Sequence, residues 1–335
     1  MRFLFFTDPH IRGDIPKARK DNFPETIFNK LTEIVAVAKE LEVEAILCGG
    51  DWFHTATVAE SVVYRTNKIL LPAAKSDIPI YTVLGNHDEI GYNPETHDKT
   101  ALGTLCSAGL VKRLGEQAMY FHDGKVTVAI TGCDSHHLLD RDGRKEDYLP
   151  SRPSKCDVHL HIIHGFLADR RWHEEVPHTL IDDIIDTPAD LVLSGHEHAG
   201  YGEIRRGGKI FCNPGALSRI SASMSEMTRM PQYIIIDIMG AGVENINIEI
   251  KIPACAKPSA DVLDREILEK EIERQRKIQG FSATLGSFSV ESLNIYHVVE
   301  RIAAEDRVPE EVRAEAKKRL QKADEDMALE KEHEQ

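Results

Sequence analysis

The sequence predicts an α/β fold in which two β-sheets pack face to face with helices outside. Two observations carry this. The first hundred residues alternate short apolar runs with stretches of helical apolar spacing. The middle of the chain carries paired apolar runs around turn dipeptides, the pattern of antiparallel hairpins. At 335 residues and 41% hydrophobic content, the chain can bury one large core and carry an appendage.

Arg2–Thr7 reads as a buried strand. Asp8 and His10 follow at once, so the apolar stretch is too short for an export signal. Pro24–Leu41 has helical spacing through Ile27, Leu31, Ile34, Val35 and Ala38. Ala45–Cys48 is a short strand, Val58–Ala74 a second helix, Ile80–Leu84 a third strand and Thr100–Ala108 a third helix. Met119–His122 and Val126–Thr131 flank Asp123-Gly124, and Glu203–Arg206 and Lys209–Cys212 flank Gly207-Gly208. Val158–Ile163, Leu191–Leu193, Tyr233–Ile238 and Ile246–Ile252 complete the β-rich half.

A boundary is expected near Pro253–Pro258. It divides a catalytic domain, residues 1–253, from a charged helical appendage, residues 258–335. Helices are expected over Asp261–Gln279 and Val290–Ala304, with a third starting at Pro309. Val312, Ala316, Leu320, Ala323 and Met327 form an apolar stripe on the third. Such a stripe fits a cap packed on its own core, a partner-docking module or a homodimer contact.

No apolar run approaches the roughly 20 residues that span a bilayer. The six cysteines lack paired spacing, and Cys48, Cys133 and Cys212 sit in or beside apolar runs, which points to a reducing cytoplasm. The net charge of −14 argues against sequence-blind adhesion to nucleic acid. Net charge says little, however, about a local groove.

Five short segments hold the chemistry, each after an expected strand: Asp8-Pro9-His10, Gly49-Gly50-Asp51, Gly85-Asn86-His87-Asp88, His164-Gly165 and Gly195-His196-Glu197-His198. Loops after strand ends are where α/β folds place their sites. Carboxylate, amide oxygen and imidazole together suit Mn²⁺, Fe²⁺ or Zn²⁺. Asp51 is the natural carboxylate to bridge two metals, which can activate a water and grip a phosphoryl group together. Each segment alone is commonplace; the five in this order are not.

In these five segments, across roughly residues 1–250, the sequence resembles the calcineurin-like metallophosphoesterases. The resemblance implies a four-layer αββα sandwich. It implies one metal on Asp8, His10, Asp51 and His198, and another on Asp51, Asn86, His164 and His196, with Mn²⁺ the first choice. His87 resembles the family's non-ligand catalytic histidine, with Asp88 as its orienting carboxylate. The plainer reading of His87 is a histidine that orients a loop.

Gly50-Asp51-Trp52-Phe53-His54, Ile78-Pro79-Ile80 ahead of the Asn86 block, and Asn213-Pro214-Gly215-Ala216-Leu217-Ser218-Arg219 resemble the SbcD-type nucleases. That resemblance implies an extra active-site histidine at His54. It also implies a DNA exonuclease or endonuclease of repair and recombination, and an SbcC-like coiled-coil ATPase as partner. The alternative is a phosphodiesterase or phosphatase acting on nucleotides, small phosphates or phosphoprotein. A third reading is a scaffold that keeps the fold without the chemistry. Basic groups that could meet a DNA backbone are Arg12, Lys17, Arg19 and Lys20; Arg141, Arg144 and Lys145; and Arg170 with Arg171. The plainer reading of each cluster is a solvated face.

Overall fold

The structure is a computed structural model. It describes residues 1–256 apart from 92, 116, 142, 173–175, 222 and 241–244, together with 262–264, 266, 269, 270, 273 and 274. The chain divides into two compact units, Met1–Leu268 and Glu269–Gln335. The helices expected over 290–304 and from Pro309 lie outside the described residues.

Among the described residues there are fourteen strands: β1 (Arg2–Phe6), β2 (Ala45–Cys48), β3 (Ile80–Thr82), β4 (Lys112–Arg113), β5 (Met119–His122), β6 (Thr127–Cys133), β7 (Val158–Ile163), β8 (Leu167–Ala168), β9 (Thr179–Leu180), β10 (Leu191–Ser194), β11 (Gly202–Arg206), β12 (Lys209–Asn213), β13 (Ile234–Gly240) and β14 (Ile246–Lys251). One six-stranded sheet runs β14-β13-β1-β2-β3-β4 and another β11-β12-β10-β7-β6-β5, while β8 and β9 form a separate pair. β1, β2 and β3 are mutually parallel, as are β6, β7 and β10. The metal-site segments therefore all emerge at strand C-termini.

Strand alternation explains why β1 is apolar at nearly every position. Phe3 and Phe5 face the other sheet, where they join Leu47, Val83, Val128, Ile130, Leu160, Ile162, Leu191 and Leu193. Leu4 and Phe6 point outward, onto Ile27, Leu31, Ile34 and Leu70 of the helices. A strand buried on both faces reads as a continuous apolar run. Helix α1 spans Phe23–Glu40, with Asn22 accepting from the Glu25 N–H at 3.4 Å and proline in the first turn. Helix α2 spans Glu60–Ala74. Helix α3 spans Ala101–Ser107 and is capped by the Thr100 hydroxyl, which accepts from the Gly103 N–H.

The four expected layers are present, but the outermost one differs in make-up. Tyr148, Ile181 and Ile184, from 3₁₀ turns, cover Ile163, Val192 and Phe211 on the outer face of the second sheet. Turns suffice there because the apolar patch is small. Residues 262–264 are another difference: a helix is expected from Asp261, yet Leu263 makes an antiparallel bridge with Arg19. The Lys20 N–H donates to the Val262 carbonyl and the Asp264 N–H to that of Ala18. Burial of Val262 and Leu263 against the domain overrides local helix preference. Among the described residues no helix is long and apolar enough to cross a membrane.

Leu160 is fully buried between the sheets. Leu160→Ala is expected to cost about 2–5 kcal/mol. Urea unfolding should show a lower midpoint at unchanged slope.

Candidate metal centre

The site is assembled on strained loops. Asp8, His10, Asp51 and His196 have φ of 50°, 44°, 52° and 73°, a left-handed region that non-glycine residues rarely occupy. Such strain persists only where the surroundings enforce it, and it gathers at functional sites. Two glycines allow the loops to close on one another. A Cβ on Gly85 would lie 2.0 Å from Asp51 Oδ1, and one on Gly195 would lie 2.4 Å from Thr7 Oγ1.

Among the described residues four groups of side chains bring their ligand atoms within 4.8 Å of one another, and two of them share a carboxylate: Asp8, His10, Asp51 and His198, and Asp51, His164 and His196. Asp51 belongs to both. The Asn86 amide oxygen lies 3.2 Å from His164 Nε2, adding a neutral oxygen to the second group. His10 Nε2 and His198 Nε2 face each other at 3.0 Å. His164 Nδ1 donates to the Gly49 carbonyl at 2.6 Å, leaving Nε2 turned toward Asp51 Oδ2 at 3.3 Å. That is how metal-binding imidazoles are held: one nitrogen anchored, the other presented. Carboxylates, an amide and imidazoles converging in a buried space form a donor set that fits two divalent cations.

The charge states of Asp51, Asp8, His10 and His196 suit such ions. Burial alone would raise the Asp51 pKa, but the charge and hydrogen bond of His164, with His10, hold it well below the carboxylate range. Asp8 likewise overcomes burial through His198 and His164 and sits at about 2. The Thr7 hydroxyl donates to it at 2.5 Å, and the His196 N–H at 3.1 Å. Burial keeps His10 neutral, with a pKa lowered to about 3. Burial and the His164 charge lower that of His196 to about 4. For His164, Asp51 outweighs burial and raises the pKa to about 10.

The structure also brings His54 and His87 to the centre. Their rings stack at 5.5 Å, and the His87 ring meets that of His10 at 4.9 Å. Burial, then Arg12 and His87, lower the His54 pKa. Asp88 does not orient His87. The His87 ring donates from Nδ1 to the His54 carbonyl at 2.6 Å. Asp88 instead accepts from the N–H groups of Trp52, Phe53 and Gly85, joining the loop of Asp51 to that of Asn86. Burial, then the Asp51 charge, push its pKa to about 8. Glu197 accepts from the Ala199 and Gly200 N–H groups and closes the turn after His196.

The basic groups separate by environment. Arg19 is buried and paired with Asp21, and it donates to the Arg219 carbonyl; it is not a surface cation. Arg12 pairs with Asp14, and Arg144 with Asp147. Arg141 lines a cleft of about 320 Å³ that also contains Asn86, His164, Phe166 and His196. Arg170 and Arg171 are exposed. The sequence reading missed Thr7 and Phe166; adjacency to Asp8 and His164 was the available signal.

Paired donor groups sharing one carboxylate, on loops at the ends of two packed sheets, define a metal-dependent phosphoester hydrolase. Residues 1–200 match the family model for calcineurin-like phosphoesterase, and the chain belongs to that family. Among curated relatives, double-strand break repair protein MRE11 of Encephalitozoon cuniculi is 24% identical over 322 residues, covering 84% of this chain and 52% of that protein. DNA double-strand break repair protein Mre11 of Methanosarcina mazei is 26% identical over 253 residues, covering 73% of this chain and 37% of that protein. The chain thus spans between a third and about half of these relatives' length. A solved dimetal phosphatase from Danio rerio matches with a TM-score of 0.44 at 9% identity, covering 76% of this chain and 99% of that one.

The His164 proton sets a pH dependence. In the metal-free chain it is held up to about pH 10, and a cation can take only the neutral ring. Raising the pH from about 6 to about 9 weakens this competition, so Mn²⁺ affinity should rise by up to about tenfold per unit. Titration calorimetry in buffers of different ionisation enthalpy should show about one proton released at this position. Affinity independent of pH would contradict the assignment.

Proposed function

We propose that the chain is a two-metal phosphodiesterase of SbcD type, cleaving DNA as an exonuclease or endonuclease beside an SbcC-like coiled-coil ATPase. One observation carries the chemistry: Asp51 belongs to both donor groups, and its Oδ1 accepts from the His87 N–H at 2.9 Å. The likeness to double-strand break repair proteins supports DNA as substrate. In this reading Asp8, His10, Asp51 and His198 hold one cation, and Asp51, Asn86, His164 and His196 the other, with Mn²⁺ the first choice.

Bound there, two such ions would supply Lewis acidity toward the phosphoryl oxygens and activation of a water at neutral pH. The chain supplies position and a proton. The His87 ring, fixed through Nδ1 by the His54 carbonyl, presents Nε2 and can deliver a proton from there to the departing 3′ oxygen. His54 packs against it and limits its rotation. Asp88 holds the two loops in register and acts on the reaction only through them.

His87→Gln should keep both metals and lose about 10²–10⁴-fold in turnover. Asp51→Asn should lose metal and turnover together. Metal analysis after Mn²⁺ loading, beside rate measurement, separates the two; equal metal loss would make His87 a structural residue.

The acidic balance, −14, favours a second reading: a phosphodiesterase or phosphatase for nucleotides or other small phosphates. Single- and double-stranded DNA should be assayed against an aryl phosphodiester, each with Mn²⁺. Rapid aryl-diester turnover without DNA cleavage would sink the nuclease reading. Co-purification with a coiled-coil ATPase tests the partner.

A further inference from the structure

The segment after His164 leaves the second sheet and returns to it. β7 ends at Ile163, and β8 pairs in parallel with β9, so both ends of the intervening loop are pinned. Asp140 ties them: it accepts from the Phe166 N–H and the Thr179 hydroxyl, each at 2.6 Å. The Thr179 N–H closes the ring onto the Phe166 carbonyl at 3.0 Å. On this loop the His178 ring donates from Nδ1 to the Val176 carbonyl and accepts the Trp172 N–H at Nε2, 3.3 Å away. Trp172 is thereby fixed by its backbone.

Its side chain is 40% exposed. One edge-to-face contact at 5.1 Å joins Trp172 to Phe166, and a second at 5.8 Å joins Phe166 to His196. Phe166, Val176 and Pro177 form an apolar side of the cleft that reaches Asn86 and His164. An aromatic surface thus runs from the metal centre to solvent. Arg170 and Arg171, immediately before Trp172, are exposed and form no ion pair with a described residue. Arg141 lies in the wall of the same cleft.

An indole left exposed on an anchored loop beside a phosphate-binding centre needs an aromatic or apolar partner. Guanidinium groups next to it call for a polyanion. A nucleotide strand provides both: each base has a π-face that stacks on an aromatic side chain, while its backbone carries the charge. The cleft, about 320 Å³, is of small-molecule size and admits a strand end or a single flipped-out nucleotide rather than a duplex.

We propose that Trp172, backed by Phe166, is a stacking platform for a nucleobase near the phosphate under attack, with Arg170 and Arg171 on the adjoining backbone. This rests on the substrate being nucleic acid or a nucleotide. It adds that the strand is engaged single-stranded on this side of the centre.

The chain has two tryptophans, and Trp52 is fully buried, so quenching of tryptophan emission by oligothymidylate reports on Trp172. Metal-free wild-type protein should be quenched saturably, and Trp172→Ala, which retains Trp52, should not. In Mn²⁺ the ratio of oligonucleotide to aryl-diester kcat/KM should fall about tenfold in Trp172→Ala, mostly through KM, and recover in part in Trp172→Phe. Absence of quenching in the wild type would overturn the platform. So would a Trp172→Ala ratio equal to that of the wild type, or loss of both activities in parallel, which would make Trp172 a support of the cleft. Saturable quenching by oligothymidylate in a chain that cleaves only small diesters would keep the platform and remove the nuclease reading. The two can thus fail separately.

Discussion

The structure depends on one buried carboxylate. Asp51 is ionised, 1% exposed and in a left-handed backbone conformation, each an unfavourable circumstance taken alone. Its neighbours make it tolerable. His164 and His10 lie 3.3 and 3.6 Å from Oδ2, and the His87 N–H binds Oδ1. Gly85 has no side chain to compete for its space. An unpaired buried charge costs several kcal/mol, so these contacts are what let Asp51 stay ionised between the two sheets.

The partners of Asp51, like the other site residues, come from both sheets. The loops after β1, β2 and β3 bring Asp8, His10, Asp51 and Asn86, and those after β7 and β10 bring His164, His196 and His198. The apolar layer between the sheets fixes their separation at the level of Phe5, Leu47, Ile162 and Leu193. Hydrogen bonds then lock the loops across the gap: His164 to the Gly49 carbonyl, the His196 N–H to Asp8, and the Leu217 N–H to the Thr7 carbonyl. Core packing sets the spacing of the donor atoms, and the polar ties set their direction.

Much of this was legible in the sequence because the five strands that lead into the site, β1, β2, β3, β7 and β10, announce themselves twice. Each is an apolar run, and each ends in a segment of Asp, Asn, His and Gly that no core strand would tolerate. Asp8, Asp51, Asn86, His164 and the His196–His198 pair could be located from those endings. What the sequence hid depends on three-dimensional partners. Asp88 stands beside His87 in the chain but serves three backbone N–H groups. Arg19 sits in a basic run yet is buried against Asp21. Val262 and Leu263 belong to a stretch of helical composition, but pairing with Ala18–Lys20 draws them into extended backbone. Trp172 carries no motif, and its proximity to the centre exists only because β8 and β9 fold the loop back.

The orientation of His87 by a carbonyl has a physical consequence. A carboxylate partner would favour the protonated ring by charge; the His54 carbonyl fixes the Nδ1 proton without adding a charge. In the proposed reaction that leaves Nε2 as the nitrogen through which the ring would pass a proton to the leaving oxygen. That carbonyl belongs to the same turn, residues 51–54, that carries Asp51 and is clamped through the N–H groups of Trp52 and Phe53. One short turn therefore sets both the carboxylate common to the two donor groups and the direction of the His87 ring. Any displacement of it should move the two together, which would tie the proposed cation binding and proton delivery to a single backbone geometry.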